Sequence, residues 1–150
     1  MTQIPISKAL NLSPDIIREI FKNFATPVAI DWKPKSFPWF LGQICAPWRR
    51  VFLSMSAHFW GNIAIDVWSA KKPLTESAAF FECALDILNF CLKCNEGCPL
   101  SFSFKMGLHY VHEYTYVTDI LDALIAQSMR WLKAELILQV AEFQRLHQVK

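Results

Sequence analysis

The stretch LGQICAPWRRVFLSMSAHFWGNI, residues 41–63, decides how the chain is read. Within it Leu41, Ile44, Cys45, Trp48, Val51, Phe52 and Met55 recur three or four residues apart, the period of one helix face. Gln43, Arg49, Arg50 and Ser54 fall on the opposite face, and His58, Phe59 and Trp60 close the stretch with a second aromatic group. A proline inside a helix removes a hydrogen bond and clashes with the preceding turn, at about 3 kcal/mol. The stretch therefore reads as two helices, 39–45 and 47–54, with Pro47 near the start of the second.

Upstream, LSPDIIREIFKNF at 12–24 carries a stripe of Ile16, Ile17, Ile20, Phe21 and Phe24. Ser13 suits an N-cap, Pro14 the first helical position, and Asp15 the positive end of the helix dipole. Residues 1–11 read as a loose lead-in, and 26–38, with Pro27, Pro34 and Pro38, as an irregular loop pinned by Trp32 and Trp39. Downstream the period changes. Ile63, Ile65 and Val67 alternate with Ala64, Asp66 and Trp68 as in a short strand. A helix over 76–94 buries Phe81, Ala84, Leu85, Leu88, Cys91 and Leu92, and Gly97 stops it. Leu100, Phe102, Phe104 and Met106 mark a second strand; Val117, Ile120, Leu121, Leu124 and Ile125 a helix; Leu132, Ala134, Leu136 and Leu138 a third strand. Val140, Phe143 and Leu146 begin a last helical stripe. Strand–helix units recurring every 30–40 residues or so fall in the range of solenoid repeats.

The chain of 150 residues is long enough for a real core. A hydrophobic fraction of 53%, a mean hydropathy of +0.23, six Trp and twelve Phe lean toward apolar surface kept for a partner. A net charge of +2 and scattered Lys and Arg give no footprint for nucleic acid. No apolar run reaches the roughly 20 residues that a membrane span needs, and no signal peptide is legible. The five cysteines are expected as reduced thiols, in a cytoplasmic or nuclear setting.

Together the two N-terminal segments resemble an F-box. Its hydrophobic first helix reads Leu12, Pro14, Asp15, Ile16, Ile17, Ile20 and Phe21; its hydrophobic-Cys-x-x-Trp-Arg helix reads Ile44, Cys45, Trp48 and Arg49, followed by Trp60. The run from Phe40 to Cys45 is similar to the F-box-like families of mushroom-forming fungi, as are CLKCNEGCPLSFSF at 91–104 and AQSMRWL at 126–132. The long 26–38 loop, Pro47 and the Ala126-Gln127 pair depart from the usual pattern. The resemblance implies a mixed α/β, helix-rich fold: an N-terminal three-helix F-box over 10–62, then leucine-rich-repeat-like strand–helix units over 63–150, fewer than usual. It further implies a non-enzymatic adaptor that docks on a Skp-type protein and, through it, a cullin ubiquitin ligase, while presenting an unknown protein substrate. The adaptor-binding residues it points to are Leu12, Pro14, Ile16, Ile17, Ile20, Phe21, Phe24, Leu41, Ile44, Cys45 and Trp48. The alternative is a stand-alone α/β solenoid-type interaction domain with no role in ubiquitin transfer.

Other chemistry is weaker. Cys91, Cys94 and Cys98 lack the second ligand pair that structural zinc wants. His109, His112 and Glu113 have the wrong order and spacing for a metallohydrolase helix. No glycine-rich phosphate loop or G-x-S-x-G elbow is present, and Cys45 falls on the apolar stripe rather than beside a base such as His58. No catalytic residue, metal or cofactor is expected, nor a nucleic-acid or membrane partner.

Overall fold

The computed structural model describes residues 12–24, 27–31, 39, 43–67, 74–106 and 114–138. They form a mixed α/β fold. In chain order the elements are α1 (Pro14–Phe24), β1 (Val28–Asp31), α2 (Ala46–Leu53), α3 (Ala57–Trp60), β2 (Asn62–Asp66), α4 (Leu74–Cys94), β3 (Leu100–Lys105), α5 (Tyr114–Ile125), a 3-10 turn (Ser128–Arg130) and β4 (Trp131–Ile137).

All strands run parallel in the order β1-β2-β3-β4. Each crossover thus steps in the same direction, and right-handed crossovers then lay every connecting helix on one face of the sheet. That face is the core. It takes Val28 and Ile30 from β1, Ile63 and Ile65 from β2, and Leu100, Phe102 and Phe104 from β3, all buried. Against them pack Phe81, Ala84, Leu88 and Cys91 of α4 and Val117, Ile120, Leu121 and Leu124 of α5. The alternation read from the sequence is thus the inward row of each central strand.

β1 corrects one expectation. Residues 28–31 lie in what reads as a loop, yet they pair with β2 from Val28↔Ile63 to Asp31↔Asp66. Four residues give too short a run for periodicity to show; a partner strand far along the chain makes this one. The same pairing joins the two expected segments, since a boundary at 62/63 falls inside β2 and β1 belongs to the same sheet. Of the expected helix over 39–45, Trp39 and Gln43 are 3-10 helical and 40–42 lie outside the described residues, while its end is corrected: Cys45 is extended (φ −163°, ψ 170°) as the N-cap of α2. Pro47 sits in the first turn of α2, where its missing N–H costs nothing.

An aromatic cluster ties the N-terminal helices to the sheet. Trp60 is fully buried, with ring centroids 5.0 Å from Phe52, 5.0 Å from Phe59 and 5.2 Å from Phe90. Trp39 joins it and donates its indole N–H to the Ala29 carbonyl at 2.9 Å, on β1.

Among the described residues one polar side chain, Asn95, is fully buried. It donates to the Ala57 carbonyl at 3.1 Å and accepts from Arg130 Nη1 at 2.6 Å, linking α3, the end of α4 and the turn before β4. Gln127 Oε1 and the Cys98 carbonyl take other Arg130 protons. The chain leaves α4 through Glu96 and Gly97 at positive φ, 49° and 83°. Gly61 is needed for close approach: a Cβ there would stand 2.6 Å from Asn95 Nδ2 and 2.7 Å from the Pro99 carbonyl oxygen.

Asn95→Ala strands the Ala57 carbonyl and removes the acceptor of a part-buried guanidinium, so it should cost about 2–4 kcal/mol of stability. Gly61→Ala, which forces the same contact apart, should lower the urea midpoint as well. Equilibrium urea unfolding followed by circular dichroism measures both.

Candidate functional site

Two surfaces stand out from the packed core. The first is the outer side of α1. Ser13 caps the helix, accepting the Ile17 N–H on its carbonyl (3.1 Å) and the Ile16 N–H on its hydroxyl (3.5 Å). Inward, Ile17 and Phe21 are buried, Phe21 stacking on Phe52 at 5.2 Å and meeting Trp48 edge-on at 5.9 Å. Outward, Asp15, Ile16, Glu19, Ile20 and Asn23 line an open groove of about 540 Å³. Ile16 is 51% exposed and Ile20 half-buried. Ion pairs flank this ridge, Arg18–Asp15 at 2.7 Å and Lys22–Glu19 at 2.8 Å. Among the described residues, one apolar side of the helix is buried, while on the other Ile16 is exposed and Ile20 half-buried.

The residues expected to bind an adaptor divide accordingly. Ile17, Phe21 and Trp48 are core residues that hold α1 on α2, and burial removes them from direct contact with a partner. Ile16, Pro14 and Ile44 are exposed, and Leu12, Ile20 and Cys45 half-buried. Leu41 and the side chain of Phe24 lie outside the described residues, as do His109, His112 and Glu113.

The second surface is the sheet face opposite the helices, which periodicity alone does not single out as a site. The strand register puts Ala29, Ala64, Ser103 and Glu135 in one row across it. Asn62, Ser101 and Lys133 form the row before, and Asp31, Asp66, Lys105 and Ile137 the row after. Lys105 and Glu135 pair at 3.5 Å. Parallel sheets usually bury both faces; here the second face carries small and charged side chains. A depression of about 170 Å³ lies on it, between Pro27, Asn62, Ser101, Ser103, Lys133 and Glu135. Its signal in the sequence was the polar half of each alternation, Ser101 and Ser103 above all.

The cysteines are spread through the fold. Cys91 is buried on the inner stripe of α4, where burial and then the neighbouring Cys94 push its thiol from 9.0 up to about 12. Burial also raises Cys94, partly offset by Lys93. A thiol held protonated is a poor nucleophile and a poor metal ligand. Cys83 is exposed, while Cys45 and Cys98 are half-buried. Among the described residues no group of three or more His, Cys, Asp and Glu side chains converges on one point. No described helix is long and apolar enough to cross a membrane.

In comparisons with protein-family models, curated proteins and solved structures, none matches this sequence.

Mild native alkylation should modify Cys83 and spare Cys91, which should react only after denaturation; peptide mass spectrometry distinguishes them. Cys91 ionises near 9.0 when exposed but near 12 in the fold, so the folded state holds the extra proton between those values. Stability should therefore fall as pH rises through that window, and Cys91→Ala should flatten the decline.

Proposed function

We propose that the chain is a non-enzymatic substrate adaptor that docks through its N-terminal helices on a Skp-type protein of a cullin ubiquitin ligase. In this reading α1, α2 and α3 are the F-box helices, and the units built on β2, β3 and β4 are leucine-rich-repeat-like. The observation that carries it is the second apolar side of α1. Ile17 and Phe21 are buried in the core, whereas Ile16 is exposed and Ile20, partly packed on the core, also lines the outer groove. A helix groove with apolar anchors three to four residues apart fits a partner helix. The uniform strand order and the helix layer on one face support the repeat reading, because a solenoid advances in the same way.

The contact set in this proposal is narrower than the sequence implies. Leu12, Pro14, Ile16, Ile20 and Ile44 would meet the adaptor; Ile17, Phe21 and Trp48 would position them from beneath. The open, small-residue face of the sheet favours a second reading: a stand-alone interaction domain that uses that face and has no part in ubiquitin transfer.

Capture of a purified Skp-type adaptor separates the two. Ile16→Ala, at an exposed position, should lose about 2–4 kcal/mol of binding, roughly 30- to 1,000-fold in affinity, with its circular dichroism and melting intact. Phe21→Ala should instead lower stability by about 3–5 kcal/mol, as a truncated core aromatic does. An intact chain that captures no adaptor leaves the stand-alone reading.

A further inference from the structure

β4 is the edge of the sheet, and among the described residues no strand pairs beyond it. The opposite edge is blunted, since the Trp39 indole occupies the Ala29 carbonyl of β1. The direction of the backbone groups of β4 follows from one bond. The Ile137 carbonyl accepts the Met106 N–H at 2.9 Å, so Ile137 faces β3. A strand's residues point their N–H and C=O alternately to either side. Ala134 and Leu136 therefore direct theirs away from β3.

The strand reads WLKAELI, and about Ala134 it is complementary to its own reverse, Leu falling opposite Leu and Lys opposite Glu. Turned antiparallel on itself, it sets Leu132 opposite Leu136, Lys133 opposite Glu135 and Ala134 opposite Ala134. Both like-with-like apolar contacts and both charge pairings are then met at once, which a two-fold interface requires. Leu132 is 75% exposed and Ile137 41% exposed, so apolar surface remains to be covered there. A register shift at Leu100/Ser101 leaves Leu132 without a partner residue in β3.

We propose that β4 is a self-pairing edge: two copies of this chain join antiparallel through Trp131–Ile137 about a two-fold axis beside Ala134. The two sheets become one across the axis. Ala134 of each copy exchanges both backbone hydrogen bonds with its counterpart. Lys133 of each copy meets Glu135 of the other, which already pairs with Lys105, so charges alternate along the joint. An exposed edge strand is a general template for such pairing, and the self-complementary order of charges selects a second copy as the occupant. This surface lies at the opposite edge of the sheet from β1 and does not depend on the adaptor reading.

Analytical ultracentrifugation of the full chain tests it. A concentration-dependent dimer is expected. Ala134→Pro removes an N–H that faces away from β3, so the fold should survive and the dimer should be lost. Lys133→Glu sets like charges opposite each other twice and should weaken the dimer by about tenfold or more. Lys133→Glu/Glu135→Lys reverses both partners and should restore association. Circular dichroism melting confirms that each variant is folded. A wild-type chain that stays monomeric at high concentration overturns the proposal. So does self-association that neither Ala134→Pro nor Lys133→Glu disturbs, or a folded double variant that fails to regain it.

Discussion

The hydrogen bonds of Asn95 hold the successive layers of this fold in register. Its amide joins the carbonyl of Ala57, on the helix before β2, to the guanidinium of Arg130, in the turn before β4. One buried side chain thus spans the starts of strands separated by the whole of β3. In a low-dielectric interior such a polar group is destabilising unless every partner is present. Here they are supplied from well-separated parts of the chain, and Gly61 leaves the space in which they meet. The node therefore favours one register of the connections between α3, α4 and β4 over any slipped alternative.

The aromatic cluster complements this polar node. Phe21 brings α1, Phe52 and Phe59 bring α2 and α3, and Phe90 brings α4, all around or next to Trp60. Edge-to-face rings at about 5–6 Å are each worth roughly 0.5–1.5 kcal/mol beyond their buried area. Because the cluster uses only the inner side of α1, the helix is anchored firmly while its outer side stays open.

The sheet shows the converse arrangement. Its helix side is packed with Ile, Phe and Leu, whereas its open side is built from Ala29, Ala64, Ser101 and Ser103 between charged residues. Small side chains let another chain approach the strands closely, and the charged rows would orient it. The molecule thus presents distinct surfaces: a helix ridge at one end, the open sheet face, and the edge of β4 at the other end.

Much of the architecture was legible in local pattern. Alternation at Ile63/Ile65 and at Leu100/Phe102/Phe104 located strands, 3.6-residue spacing from Phe81 to Cys91 and from Val117 to Leu124 located helices, and Pro47 marked the start of α2. These signals are carried by neighbours in sequence, so one sequence suffices to read them. Tertiary structure decided the rest. β1 exists because β2 lies beside it, and a four-residue strand has too little pattern to announce itself. Periodicity grouped Ile16, Ile17, Ile20 and Phe21 into one stripe, but it could not say that Phe21 faces Trp48 and Ile16 faces water, since both sides of α1 are apolar. Asn95, one polar residue after a helix, carries no local pattern that singles it out. Its role depends on Ala57 and Arg130, more than thirty residues away on either side, and only the folded chain brings them within hydrogen-bonding distance.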